Sequence, residues 1–256
     1  MGYYSILGQI DKLKEQGKLD DLQELSGASC GALLVFIYAL CNGNIKEILD
    51  KSLDIDIIRC TKPNLLSIIS KFGFIRTRSI KNELKKISHK KMNIKSPTFR
   101  EISDFSNMHI HIPAFCVSTG ITEYFSDHTH PDTKIIDIIC ASVAVPLLFS
   151  AQKINEKLYV DGALEETIPA SPFLNKNWND IHAIELCSEY SAEKIEIKDI
   201  KTFVETLAKS VGLKNRIEYP GIKTSRIYLP DKAIFDFKMN TLDKLALYIK
   251  GYSSTS

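Results

Sequence analysis

The chain has no C-x-x-C pair, no basic leader running into an apolar segment, no low-complexity linker, and one tryptophan in 256 residues. Each absence removes a class of protein. Six cysteines (Cys30, Cys41, Cys60, Cys116, Cys140, Cys187) stand alone, so a disulfide framework and a cysteine-built zinc site have no support. Without a leader, the expected setting is reducing and cytoplasmic rather than secreted. The longest nearly apolar stretch, Gly31 to Cys41, is about half the ~20 residues a membrane span requires, and reads as a core helix. The net charge of +2 is too small to call for nucleic acid. With no repeat and no linker, residues 1–256 read as one domain.

What is present is a run of alternating elements. Tyr3, Ile6, Leu7, Ile10 and Leu13 recur at helical spacing before Gly17. A short strand at Leu22–Leu25 precedes a helix, Ala32–Ala39, that is apolar on every side; Asn42-Gly43-Asn44 stops it, and Ile45–Leu53 is helical again. Residues 60–75 read as irregular or helical, and Ser79 is placed to cap a helix over Ile80–Ile87. Strands are expected at His109–Val117, Leu158–Val160, Ile181–Leu186 and Arg226–Leu229, and helices at Lys134–Ala141, Ile200–Val211 and Thr241–Ile249. Strands alternating with helices predict an α/β fold with a mostly parallel central sheet covered on both faces, a three-layer α/β/α sandwich.

One charged region stands out. Arg76, Arg78, Lys81, Lys85, Lys86, Lys90, Lys91 and Lys95 face only Glu83, a local +7 that leaves the remaining chain at −5. A solvated helix face explains such a run, and so does a dock for anionic lipid headgroups. No aromatic residue interrupts it to stack on bases, which speaks against nucleic acid.

Gly27-Ala28-Ser29-Cys30-Gly31 spells G-x-S-x-G, the pattern that lifts a serine hydroxyl out of a sharp strand-to-helix turn. About one chain in ten of this length shows it by chance. A serine also needs a base and donors for the oxyanion. His109 and His111 alternate along a strand, and His128 and His130 share the loop "SDHTHPDT", but no Cys or Glu stands at ligand spacing beside them; no metal site is expected. His182 follows Ser29 and Asp161 in the Ser, Asp, His chain order of α/β-hydrolases, yet it lies mid-strand where that role needs a loop. Asp161, at the end of the strand "KLYV" and followed by Gly162-Ala163, is the better-placed carboxylate, although an Asp-Gly turn also explains it.

These two motifs together resemble the patatin-like phospholipases, whose hydrolase dyad is a Ser in G-x-S-x-G and an Asp in D-G-[GA]. The segment "CASVAVPLLFSAQKINEKLYVDGA" is similar to the family's A-S-x-A-x-P-x-x-F block leading into its aspartate. "FCVSTGITEYFSDHTHPDTKIIDIICAS" resembles the strand and helix before that block, and "IYLPDKAIFDFKMNTLDKLALYIKGY" the family's closing segment. The resemblance implies Ser29 as nucleophile and Asp161 as the base that takes its proton directly. It implies the Cys30 backbone N–H, with Gly2, as oxyanion donors, no metal or organic cofactor, and a phospholipid or acylglycerol ester as substrate. The motif glycines would make room for the strained turn.

The chain departs from that family in two places. The family's opening strand and most of its Gly-rich loop have no counterpart before Met1, and Gly2 would be the loop's last glycine. Thr167 stands where Asn is usual. Either the reading frame begins further upstream, or the chain is a weakened hydrolase kept as a lipid- or protein-binding module; the presence of both Ser29 and Asp161 favours the first. A soluble esterase using His182 is the remaining alternative.

Overall fold

One strand organises the sheet. In the computed structural model, which describes residues 2–54, 72–189, 206, 219–230 and 239–254, β3 (His109–Cys116) takes partners on both of its edges. Strand β1 (Glu24–Ser26) pairs with its first half in parallel, Ser26 opposite His111. Strand β7 (Lys157–Asp161) pairs with its second half antiparallel, Asp161 opposite Ala114. Strand β4 (Ile121–Phe125) covers Ile112–Cys116, so β4 and β7 must occupy opposite edges. Strand β6 (Gln152–Ile154) closes the sheet on β7. Two parallel pairs stand apart from it, β2 (Gly73–Ile75) with β5 (Leu147–Phe149) and β8 (His182–Ser188) with β9 (Lys223–Leu229).

The α/β class expected from the sequence stands, but the central sheet is mixed rather than mostly parallel. Three of the four pairings in the five-stranded sheet are antiparallel. Short turns set two of these, β3–β4 and β6–β7, because neighbouring strands joined by a few residues have no room for a crossover. Asn155 and Glu156, at φ 46° and 64°, form the two-residue β6–β7 turn, and Gly120 at φ 75° turns β3 into β4.

Along β3, Ile110, His111, Ile112, Pro113 and Ala114 are buried in succession, as in a strand covered on both faces. Helices supply the cover. In α2 (Cys30–Leu40) every residue from Leu34 to Leu40 is buried, so its all-round apolar sequence is used on all sides. Helix α6 (Ile135–Ser142) buries Ile135, Ile136, Ile138 and Ile139 against β3, β7 and α2. Helix α1 (Tyr3–Glu15) packs along α7 (Thr241–Ser253), where Tyr248 donates to Asp11 and Tyr252 to Glu15. Helix α3 (Ile45–Asp54) follows the left-handed Asn42-Gly43 stop.

Helix α4 (Arg78–Met92) begins after Thr77, so Ser79 lies inside it and caps nothing; Asn93, left-handed at φ 59°, ends it. Helix α5 (Phe99–Ser106) has a full capping box: Thr98 Oγ1 accepts from Glu101 N at 3.1 Å, and the Glu101 carboxylate accepts from Thr98 N at 2.6 Å. The helix expected at Ile200–Val211, Thr206 apart, and most of the stretch at 60–75 lie outside the described residues.

Candidate active site

Strands β1 and β7 run toward each other along β3 and stop three residues apart in register, at His111 and Ala114. Their C-terminal ends therefore converge beside Pro113. The chain leaves β1 through Gly27, whose N–H donates to His111 O at 3.1 Å, and turns at once into α2. Ser29 sits at the turn with φ 53° and ψ −120°, a left-handed conformation that a serine adopts only where the surroundings impose it. The cause is the close approach of the first turn of α2. A Cβ on Gly27 would stand 2.4 Å from Gly31 O, so only glycine fits. Gly31 differs: a Cβ there would meet nothing within 4 Å, and its part in the turn is its carbonyl, not its missing side chain. The room expected from both motif glycines is thus needed at Gly27 alone.

Strand β7 delivers Asp161 to the same point. Ser29 Oγ donates to Asp161 Oδ2 at 2.8 Å, and Ala163 N donates to Asp161 Oδ1 at 2.8 Å. Gly162 lets the chain pass beside β3, since a Cβ there would lie 2.2 Å from Pro113 O. Asp161 is only 4% exposed, and burial raises its pKa from the ordinary 3.8 to about 6, against the lowering by the Ala163 N–H and the Ser29 hydroxyl. A carboxylate held there is a stronger base than a solvated one and is still ionised near neutrality.

The end of α6 and the residues just past it support both partners, which sequence reasoning missed. Ser142 Oγ accepts from Ser29 N at 3.1 Å, and Ala144 O accepts from Asp161 N at 3.0 Å. Both residues belong to the Ala141-Ser142-Val143-Ala144 block, so the signal was in view without its meaning. Beyond Gly162 the chain is fixed by Glu166, which is 3% exposed. Its carboxylate accepts from Ala170 N at 2.9 Å, Ser171 N at 3.0 Å, Ser171 Oγ at 2.8 Å, Tyr219 Oη at 2.5 Å, and Tyr124 Oη. Thr167, the departure from the family pattern, leaves its buried hydroxyl without a partner among the described residues.

At the start of α2, Gly31 N and Ala32 N donate to Ala28 O and Ser29 O at 2.8 and 3.0 Å. These bonds do not use the Cys30 N–H, which stands at the positive end of an 11-residue helix beside Ser29. Burial pushes the Cys30 thiol up, so it stays protonated. Gly2 stands at the N-cap of α1. Its carbonyl accepts from Ser5 Oγ at 2.9 Å and Ile6 N at 3.1 Å, Leu186 packs on its Cα, and none of these contacts reaches Ser29 or Asp161.

Five of the six histidines fall in two groups; His89 lies on α4. His182 Nε2 bonds Ser225 Oγ at 2.7 Å on the β8–β9 pair, and burial lowers its pKa. It has no part in the Ser29 contact. At the start of β3 no Cys or Glu among the described residues joins His109 and His128, but an aspartate does. Asp127, next to His128 in sequence, accepts from or shares a proton with His109 Nδ1 at 2.6 Å. His109, Asp127 and His128 place one ligand atom each within 4.8 Å of one another.

The basic stretch carries less free charge than its sequence count. Lys81 pairs with Asp137, Lys86 with Glu83 and Lys91 with Glu47, whereas Arg78, Lys85, Lys90 and Lys95 form no ion pair among the described residues. No helix among the described residues is long and apolar enough to cross a membrane.

A family model described as patatin-like phospholipase matches residues 2–174, a span that holds Ser29 and Asp161. The closing segment lies beyond it. Comparison with curated protein sequences finds no match. Among solved structures, VipD from Legionella pneumophila superposes with a TM-score of 0.61 at 13% identity, over 99% of this chain and 64% of that one. The type III effector protein ExoU superposes with a TM-score of 0.51 at 14% identity, over 99% of this chain and 50% of that one. The chain spans less than two thirds of either, and at such identities the likeness is one of fold.

Proposed function

The chain belongs to the patatin-like phospholipase family, and from that premise we propose that it hydrolyses carboxylic esters of phospholipids or acylglycerols through Ser29 and Asp161. The observation that carries this reading is the 2.8 Å hydrogen bond from Ser29 Oγ to Asp161 Oδ2, made by a serine in a strained turn to a buried carboxylate. In the first half-reaction Ser29 Oγ attacks the ester carbonyl as its proton passes to Asp161. The Cys30 N–H and the positive end of α2 stabilise the oxyanion. The tetrahedral intermediate collapses, the alcohol leaves with the proton from Asp161, and the acyl group stays on Ser29. Water then attacks the acyl-enzyme with Asp161 again as base, releasing the fatty acid and free Ser29.

A histidine-dependent esterase is disfavoured because His182 is engaged with Ser225. The test is covalent. A fluorophosphonate probe should label the chain at Ser29, and Ser29→Ala should abolish labelling. An unlabelled wild-type chain would turn the reading toward a binding module on the same fold.

Contact with anionic lipid headgroups is part of the proposal, and the four cations of α4 and its flank that form no ion pair among the described residues support it. Each surface Lys or Arg contributes about 1 kcal/mol toward an anionic bilayer. Replacing Arg78, Lys85, Lys90 and Lys95 by Gln should weaken sedimentation with anionic vesicles at least about ten-fold while sparing turnover of a soluble short-chain ester. Equal binding by variant and parent would reduce the stretch to a solvated face.

A further inference from the structure

We propose that His109, Asp127 and His128 form a binding site for a late first-row divalent metal ion, zinc foremost, at the start of β3. The fold builds the site by register. Ile112 faces Phe125 across the β3–β4 pair, so His109, three residues before Ile112, meets the chain just past Phe125, where Asp127 and His128 stand. The rings of His109 and His128 lie with centroids 4.4 Å apart, tilted by 34°. His109 Nδ1 is 2.6 Å from Asp127 Oδ2, and the three ligand atoms lie within 4.8 Å of one another. Asp127 is unusual for a carboxylate in an ion pair. Its second oxygen, Oδ1, is buried and has no hydrogen-bond partner among the described residues. A buried acceptor left without a donor costs stability, and a cation drawn to the carboxylate removes that cost.

The donor set selects the ion. Two imidazoles and one carboxylate suit zinc and its neighbours cobalt and nickel, whereas calcium and magnesium take oxygen ligands almost exclusively. Ligand atoms about 2.0–2.1 Å from a tetrahedral zinc stand roughly 3.3 Å apart. The present separations, from 2.6 Å to within 4.8 Å, bracket that value. Binding replaces the His109–Asp127 hydrogen bond, releases whatever proton bridges the pair, and leaves at least one coordination position to water, because His128 is exposed. The neighbouring Glu24 is committed to His111 at 3.2 Å and to Lys176, so it does not compete for the ion. Bound metal would pin the loop after β4 to the start of β3, independently of ester hydrolysis.

The test uses the whole purified chain and zinc chloride. Titration calorimetry should show one saturable equivalent, and cobalt(II) in its place should give visible d–d absorption. Exposed His128 can be replaced without disturbing the core, and both His128→Ala and Asp127→Asn should weaken zinc binding at least about ten-fold. His130→Ala, in the same loop but stacked on Phe125, should not change it. Circular dichroism checks that the variants are folded. No saturable binding, or binding that His128→Ala leaves intact, would overturn the site and leave His109 and Asp127 a simple ion pair.

Discussion

The two ends of β3 each hold a carboxylate hydrogen-bonded to a polar side chain, and they are built on opposite principles. At the Pro113 end, Asp161 is 4% exposed, its partner Ser29 sits at a strained φ of 53°, and backbone approaches leave no space for a methyl group on Gly27 or Gly162. At the His109 end, the His109 and Asp127 side chains are 38% and 12% exposed, and the pair needs no strained backbone of its own. Burial raises Asp161 to about 6. One end thus spends stability to prepare a base, and the other gathers ligand atoms where water and ions can reach them. Strain and desolvation belong with a group prepared for chemistry; accessible imidazoles belong with an exchangeable ligand.

The largest effect that tests this contrast is Asp161→Asn. The amide keeps the shape and loses the base, so ester turnover should fall about 10²–10⁴-fold. Wild-type kcat/KM should rise with pH through an inflection near 6, where Asp161 ionises. Stability should move the other way. The folded-state pKa of about 6 lies above the unfolded 3.8, so the native state holds the proton more tightly. Below pH 4 the group contributes no difference; as pH rises from 4 to 6 its contribution falls, and above 6 the buried charge costs about 3 kcal/mol. Asp161→Asn removes that cost and should raise Tm at pH 8 by roughly 5–10 °C, with little gain at pH 4. Thermal melts at both pH values check it. A variant that melts lower than wild type at pH 8 would mean that Asp161 holds the fold together and is not a strained base.

Legibility in the sequence followed the range of the interactions. Ser29, Gly27 and Asp161 were visible because a tight turn imposes residue types on its immediate neighbours, and α2 because it is apolar on every side. The mixed sheet was hidden, since an antiparallel pairing shows only in the turns, and Asn155-Glu156 is an unusual sequence for one with two positive φ values. Helix α5 was overlooked although Thr98 and Glu101 spell its capping box. Ser142 and Glu166 act across long sequence separations, 113 residues in the bond from Ser29 N to Ser142 and 42 in that from Tyr124 to Glu166; the Ala-Ser-x-Ala block contains Ser142 without showing its partner, and no local pattern marks Glu166. Asp127 stood in plain sight beside His128, but its tie to His109 exists only once β4 folds back on β3.

The smallest effect belongs to the other carboxylate and should carry the opposite sign. Asp127→Asn, measured without metal, removes an ion pair whose histidine is more than a third exposed. Exposed pairs contribute about 0.2–1 kcal/mol, because water screens the attraction and ordering the side chains costs entropy. The unpartnered Oδ1 reduces the value further, since the amide is cheaper to bury than a carboxylate oxygen without a donor. Tm in the presence of EDTA should therefore drop by no more than about 2–4 °C, and the drop should shrink at 1 M salt, where screening acts within ~3 Å. The same substitution, Asp to Asn, would then stabilise one end of β3 and mildly destabilise the other. A loss of several kcal/mol at Asp127 would break the comparison, placing that end among the rigid parts of the core, where a metal ion would find its ligand atoms already locked.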